Sequence, residues 1–314
     1  MSELPLFTTF QAPAHAQWFR ALQASGPRRA WQLMDELRAL DEPFYLAQSE
    51  PTVEELTTRT TAFMEQLPAL PTERIPEEAA RFADYGPRLQ FEATFIHLWL
   101  KDRRVLFDEV VDASGQEHLA EAKSHGRGVL LLPLHIGPSY AAIPLAAHFT
   151  PVKTLFNKMN FDEIKAWSCP DLEVQGMQLG STNAAMEAVR VLRQGDTFCM
   201  FPEMDPRHTT DQHHVPVPFL GSQVLAPVGP IALSKMAGAP MLPVVLRTAG
   251  PGRFDFRFLA PLAPPRSRED MDARLLQLWE LIEHEMLRDH FGDWEMWFSF
   301  DRIFAGRRPE LVGA

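Results

Sequence analysis

The chain has 314 residues, of which 46% are hydrophobic and 23% charged, so it can bury a substantial core and has the composition of a folded protein. Its formal net charge of -11 argues against a nucleic-acid partner and against electrostatic anchoring on an anionic membrane, because both require clustered Lys and Arg. The chain has only two cysteines, residues 1–10 lack a signal-peptide pattern, and no apolar run reaches about 18 residues. We therefore predict a cytoplasmic protein with at most peripheral contact with the inner membrane.

The first part of the chain, residues 1–100, has the pattern of helices. Apolar residues over 18–40 recur at the spacing of two amphipathic helices, and Thr52 with Glu55 forms a capping-box pattern that begins a third. The stretch 89–99 is so apolar that we expect it to be mostly buried, in the core or beside a ligand groove; its exposure would indicate lipid contact. We therefore predict a helical amino-terminal region that packs on the rest of the chain.

From about residue 104 the chain alternates between strand-like and helical segments. The predicted strands are apolar runs between turn residues, at 128–134, 152–156, 172–176, 197–202, 240–247 and 253–259. The main predicted helices cover 141–148, a segment that ends at Gly195, 228–237 and 268–290. This alternation predicts an α/β domain over 101–314 with a mixed central sheet flanked by helices.

The stretch 126–140 carries the clearest functional pattern. It is a glycine-flanked apolar run that ends in His135 and a Gly-Pro turn, which predicts a buried strand that brings an imidazole to the carboxyl edge of the sheet. A structural histidine at a strand end is the alternative. A second predicted strand is followed by Glu203 and Asp205, and two strand ends of opposite chemistry suggest one cleft.

Four blocks occur in a fixed order, at 126–140, 154–160, 192–205 and 215–243. In this order they resemble the lysophospholipid acyltransferase superfamily, and in particular its lipid A lauroyl/myristoyl acyltransferase branch, over about residues 88–305. The resemblance implies an acyltransferase with a His general base and neither metal nor cofactor. It also implies an acyl-carrier-protein or CoA thioester as donor and a hydroxyl or amine as acceptor.

The family pattern has a carboxylate five residues after the histidine, where this chain has Tyr140. In the family, that carboxylate orients the imidazole so that it can take a proton from the acceptor. His135 therefore has another partner or is a poorer base. Glu203 or Asp205 could orient it, or could simply cap the following loop. Tyr140 could hydrogen-bond the imidazole or the substrate, or could be only a packed aromatic residue.

Other departures concern the acceptor. The Arg usual in the second block is replaced by Asn157, followed by Lys158, and the aromatic-Leu-His-Arg-Arg-Phe element near the carboxyl end is altered over 297–304. We also expect the apolar amino-terminal anchor of that branch to be missing. These differences favour an acceptor other than lipid A, in specialised lipid or natural-product biosynthesis.

Several residues are candidates for substrate binding. Backbone N–H groups at Gly137, at a predicted helix start, could stabilise an oxyanion, and Ser139, Asn157 and Lys158 are expected to line the substrate site. Arg207 could bind a phosphate of the carrier or of CoA, although an exposed surface role is its default. The sequence around Ser139 does not match the Gly-x-Ser-x-Gly elbow of serine hydrolases, which weighs against that class.

Three alternatives stay open. The loop 205–214 holds three imidazoles and two carboxylates and could bind a metal, but it lacks a regular ligand spacing, so we favour a polar loop beside the cleft. On the same fold, water could replace the acceptor, which would make the protein a thioesterase-like hydrolase. The lost carboxylate would also suit a non-catalytic protein that binds a carrier protein or a lipid.

Overall fold

The computed structural model describes residues 12–46, 51–156, 165–166, 168–178, 184–203 and 214–304. The helices are α1 Ala12–Ala24, α2 Pro27–Leu46, α3 Val53–Met64, α4 Ile75–Ala83, α5 Tyr85–Trp99, α6 Gln116–Ser124, α7 Ala142–Ala146, α8 Ala184–Arg193, α9 Gly229–Ala237, α10 Arg268–Arg288 and α11 Phe300–Ile303. Short helical turns cover Thr72–Arg74, Arg103–Val105, Leu106–Val110, Ser139–Ala141, Phe291–Asp293 and Glu295–Ser299.

Nine strands form two sheets in the described part of the chain. They are β1 Val111–Ser114, β2 Val129–Pro133, β3 Val152–Phe156, β4 Val174–Gln178, β5 Thr197–Cys199, β6 His214–Phe219, β7 Ser222–Pro227, β8 Met241–Gly250 and β9 Arg253–Phe258. The seven-stranded sheet has the order β1-β9-β8-β2-β5-β3-β4, and its pairs are parallel except β8 with β9. β6 and β7 form a separate antiparallel hairpin. The predicted α/β fold with a mixed central sheet is therefore confirmed.

The central strand β2 shows why the sheet is buried on both faces. Leu130 and Leu132 belong to one apolar cluster, whereas Val129 and Leu131 belong to a second, as alternation along a strand requires. The first cluster packs under α3, α4, α8, α9 and α10, and the second under α2, α5, α6 and α7. Because helices cover both faces, the strand can be continuously apolar.

The predicted strands are all present, with shifts at their ends. β5 stops at Cys199, three residues before the predicted end, and Pro202 in the continuation has no N–H to donate to a ladder. β4 lies two residues later than predicted. The predicted helix 141–148 is a helical turn over Ser139–Ala141 followed by the short α7.

Two predictions for the amino-terminal region, the capping box and the buried apolar helix, are confirmed. The capping box of α3 has both of its hydrogen bonds, between Thr52 and Glu55. Most of α5 is buried, as expected from its composition.

Both cysteines are buried free thiols. Within the described ranges, the helices are all too short or too polar to cross a membrane.

Glu92 is a buried carboxyl group on α5 that accepts a hydrogen bond from Thr248 Oγ1 at 2.8 Å. Burial raises the pKa of Glu92 from 4.5 to about 7, and this outweighs the lowering effects of Arg88 and of the Thr248 hydrogen bond. The folded state therefore binds this proton more tightly than the unfolded chain does. Ionisation of Glu92 destabilises the fold as pH rises through this interval.

We expect Glu92→Gln to gain stability relative to the wild type as pH rises, because the amide never carries the buried charge. The gain between about pH 5.5 and pH 8 should be about 2 kcal/mol in the free energy of unfolding, since about 1.5 pH units separate the lower pH from the folded-state pKa of about 7. Urea unfolding of both proteins at the two pH values measures it. A difference between the proteins that does not change with pH would contradict the raised pKa.

Candidate active site

The segments that follow β2 and β5 lie close together because these two strands are parallel neighbours in the sheet. Leu131 of β2 aligns with Cys199 of β5, and four residues beyond this pair come His135 and Glu203. Parallel neighbouring strands end at the same edge of the sheet. Because His135 and Glu203 lie equally many residues beyond the aligned pair, their side chains come together at this edge.

His135 and Glu203 form a buried pair with two hydrogen bonds. Glu203 Oε2 lies 2.8 Å from His135 Nδ1, and Glu203 Oε1 accepts the backbone N–H of His135 at 2.7 Å. The side chains are 6% and 0% exposed, respectively. Because a carboxylate only accepts, it places the ring proton on Nδ1 and leaves Nε2 as the nitrogen that can take a proton.

The surroundings of His135 favour its protonated form. Burial by itself lowers the pKa of the imidazole, but the charge and hydrogen bond of Glu203, together with the charge of Glu295, outweigh burial and raise it. The ring of Phe201 stacks on the imidazole, with 4.0 Å between centroids and 22° between planes. The imidazole is therefore fixed by a carboxylate at one edge and by an aromatic ring on one face.

Tyr140 hydrogen-bonds to Glu295, whereas the sequence suggested the imidazole or the substrate as its partner. Its hydroxyl donates to Glu295 Oε1 at 2.7 Å, and its ring centroid lies 6.3 Å from that of His135. A phenol has one proton, so Tyr140 does not donate to the imidazole in this arrangement. Burial and the neighbouring Glu295 raise the pKa of Tyr140 well above its usual value, so the phenol stays protonated.

Gly137 was predicted to offer its N–H to an oxyanion, and this is corrected by the structure. That N–H donates to the Asp293 carbonyl at 3.0 Å, so it already has a partner that holds the turn. A glycine is required at position 137 because the backbone conformation and the close packing there exclude a side chain. Its φ is +63°, and a Cβ atom there would lie 2.5 Å from the Leu246 carbonyl oxygen.

The segment 293–295 runs antiparallel to the turn after β2. Ile136 bridges to Trp294, and the Glu295 N–H donates to the His135 carbonyl at 2.9 Å. Together with the hydrogen bond from the Gly137 N–H to the Asp293 carbonyl, these contacts fix the backbone at His135 and at the residues that follow it. The position of the imidazole thus depends on a segment far away in the sequence.

Two arginines of the amino-terminal helices hold that segment in place. Arg81 of α4 binds both oxygens of the Asp293 carboxylate at 2.6 and 2.8 Å, and Arg88 of α5 binds one oxygen at 2.6 Å. These guanidinium groups outweigh the effect of burial and lower the pKa of Asp293. The Tyr85 hydroxyl adds a bond to the Gly137 carbonyl at 2.9 Å.

The remaining predicted site residues divide into two groups. Ser139 is buried near the turn, and its Oγ has no hydrogen-bond partner in the described part of the chain. Asp205, Asn157, Lys158 and Arg207 lie outside the described residues, as does nearly all of the loop 205–214. Their predicted roles, including the metal site in that loop, stay predictions.

Sequence reasoning missed Asp293 and Glu295. They lie in the aromatic segment near the carboxyl end, where the only signal is a pair of acids on either side of a tryptophan. Neither has a regular spacing to the histidine or to the arginines. Only the folded chain shows that one carboxylate anchors the segment and that the other reaches Tyr140.

No curated protein matches the chain. A family model described as bacterial lipid A biosynthesis acyltransferase matches residues 82–299, which is well over half of the chain. The matched region runs from the end of α4 to the segment that pins the histidine turn, and it includes both members of the His135–Glu203 pair. The chain therefore belongs to the bacterial lipid A biosynthesis acyltransferase family.

Proposed function

We propose that the protein transfers an acyl group from an acyl-carrier-protein or CoA thioester to a hydroxyl or amine, with His135 as general base and Glu203 as its orienting carboxylate. The observation that carries this proposal is the double hydrogen bond of Glu203 to the ring and to the backbone of His135. A carboxylate held in this way fixes the tautomer and orientation of an imidazole that acts as a base.

In the proposed reaction, Nε2 of His135 takes a proton from the acceptor while the acceptor oxygen or nitrogen attacks the thioester carbonyl carbon. The carbon–sulfur bond then breaks, and the imidazolium returns the proton to the leaving thiolate. The Glu203 charge stabilises the imidazolium between these two steps. No metal or redox partner is needed, because the proton and the electron pairs balance within the acceptor, the thioester and the imidazole.

We take position 140 as the place of the family's motif carboxylate, and propose that Glu203, four residues beyond the end of β5, supplies the carboxylate instead. This weighs against the non-catalytic alternative, which was motivated by the missing carboxylate. The acceptor is proposed to be a specialised lipid or a natural-product intermediate rather than lipid A. That part rests on Asn157 and on the altered segment 297–304. A cytoplasmic location with at most peripheral membrane contact remains part of the proposal.

The test is to incubate the protein with acyl-carrier-protein thioesters and acyl-CoA and to follow acyl loss by intact mass, with and without candidate acceptors. We expect acceptor-dependent acyl loss that falls by about 100- to 10,000-fold in His135→Ala, the usual range for a general base. Unchanged turnover in His135→Ala would remove the histidine from the mechanism. Free acid released without any acceptor would indicate the hydrolase, and ligand binding without turnover would indicate the non-catalytic protein.

A further inference from the structure

Glu295 contacts both ends of the segment 135–140. Its backbone N–H donates to the His135 carbonyl at 2.9 Å, and its Oε1 accepts the Tyr140 hydroxyl at 2.7 Å. The segment begins with the imidazole and ends with the phenol. A single residue therefore sets the spacing between the proposed base and the residue at the family's carboxylate position.

The charge of Glu295 is not taken up by a basic side chain in any contact that the structure shows for the described residues. Its Oε2 is buried and has no hydrogen-bond partner there. The guanidinium groups of Arg81 and Arg88 are bound to the neighbouring Asp293. The Glu295 carboxylate is thus held close to the imidazole with the Tyr140 hydroxyl as its donor, in an environment that screens charge weakly.

Two carboxylates act on His135 from different elements. Glu203 follows β5 and contacts Nδ1, whereas Glu295 comes from the carboxyl-terminal segment and lies behind Tyr140. Both favour the charged form of the imidazole. On the turn side, the titratable groups that the structure describes include the phenol of Tyr140, the ion-paired Asp293 and the buried hydroxyl of Tyr85, which donates to the Gly137 carbonyl.

We propose that Glu295 is a positioning residue that acts through Tyr140. It holds the segment 135–140 in place and supplies a second negative charge that stabilises the imidazolium of His135. This inference rests on the proposed function of His135 as a base. Glu203 remains the orienting carboxylate, and Glu295, behind the Tyr140 hydroxyl, adds a second carboxylate from the carboxyl-terminal segment.

The direct test is an NMR titration of the His135 ring in histidine-labelled protein, with the resonance assigned by its loss in His135→Ala. We expect Glu295→Gln to lower the pKa of His135 by about one unit, because removal of a nearby negative charge disfavours the imidazolium. Gln retains an oxygen that can accept the Tyr140 hydroxyl, so the variant changes charge more than geometry. The control is Asp301→Asn, which removes one charge from an exposed site in the same segment and should leave the titration unchanged.

Tyr140→Phe is the second variant and carries the test alone if Glu295→Gln does not fold. It keeps the charge of Glu295 but removes the donor that holds it, so we expect a smaller shift in the same direction. An unchanged His135 titration in both variants, or an equal shift in Asp301→Asn, would overturn the inference. A shift in the titration combined with full turnover of His135→Ala would instead overturn the proposed function and leave the electrostatic coupling in place.

Discussion

Replacing Glu203 by glutamine is expected to lower kcat/KM for acyl transfer by about 1,000- to 10,000-fold, the loss typical when an orienting carboxylate becomes an amide. The carboxylate accepts two hydrogen bonds, one from the Nδ1–H and one from the backbone N–H of His135. Glutamine has a single oxygen, so its NH₂ group must face one of these two donors. If the NH₂ group faces the ring, it favours the tautomer that carries its proton on Nε2, which cannot act as the base.

The measurement is the steady-state rate of thiol release as a function of the acyl-thioester concentration, at a saturating concentration of the acceptor. Glu203→Asp serves as the matched variant, because it keeps the charge and both acceptor oxygens but shortens the reach, so a smaller loss is expected. Thermal unfolding of each protein separates a loss of chemistry from a loss of fold. Glutamine and aspartate variants with the rate of the wild type would show that Glu203 only braces its loop.

Asp293→Asn should have the largest effect on stability, and we expect it to lower the free energy of unfolding by about 3–5 kcal/mol. The substitution removes the counter-charge that Arg81 and Arg88 share, and among the described residues it leaves Arg88 only its longer ion pair with Asp84 at 3.9 Å. The pKa of Asp293 is lowered in the folded state, since the two arginines outweigh burial. Its contribution is therefore present above the unfolded-state pKa and is lost as pH falls through the folded-state value, so the difference between wild type and variant should shrink in acid.

Urea unfolding near neutral pH and in acid measures both expectations for Asp293→Asn. Asp196→Asn is the control, because Asp196 pairs with Lys153 at 3.0 Å on the surface and is about half exposed, with 48% of its side chain accessible. Exposed pairs contribute about 1 kcal/mol or less. A loss in Asp293→Asn no greater than that of the control would mean that the buried cluster does not stabilise the fold.

Local patterns were enough to predict the strands and the histidine turn. β2 is an uninterrupted apolar run between a glycine and a turn, and its alternate residues do face two separate clusters. The acids after β5 were expected in the same cleft because parallel neighbours end at one edge. The contact of Glu203 with His135 follows from that register.

The residues that hold the site could not be predicted in the same way. Asp293 meets Arg81 across 212 positions of the chain, and Tyr140 meets Glu295 across 155. Such pairs have no spacing rule, because they depend on how separate elements dock. The expected donor role of Gly137 failed for this reason: its N–H was taken by a carbonyl whose approach no local pattern indicates.

The arginines and the tyrosine that reach the histidine turn all belong to α4 and α5. An expression fragment that began at residue 101 would keep the whole sheet and both proposed catalytic residues, yet it would discard every one of these supports. Shortening the protein to its sheet domain would therefore remove the contacts that hold the histidine turn, together with helices that cover both faces of the sheet. The amino-terminal helices thus support the proposed catalytic residues, although they supply no reacting atom.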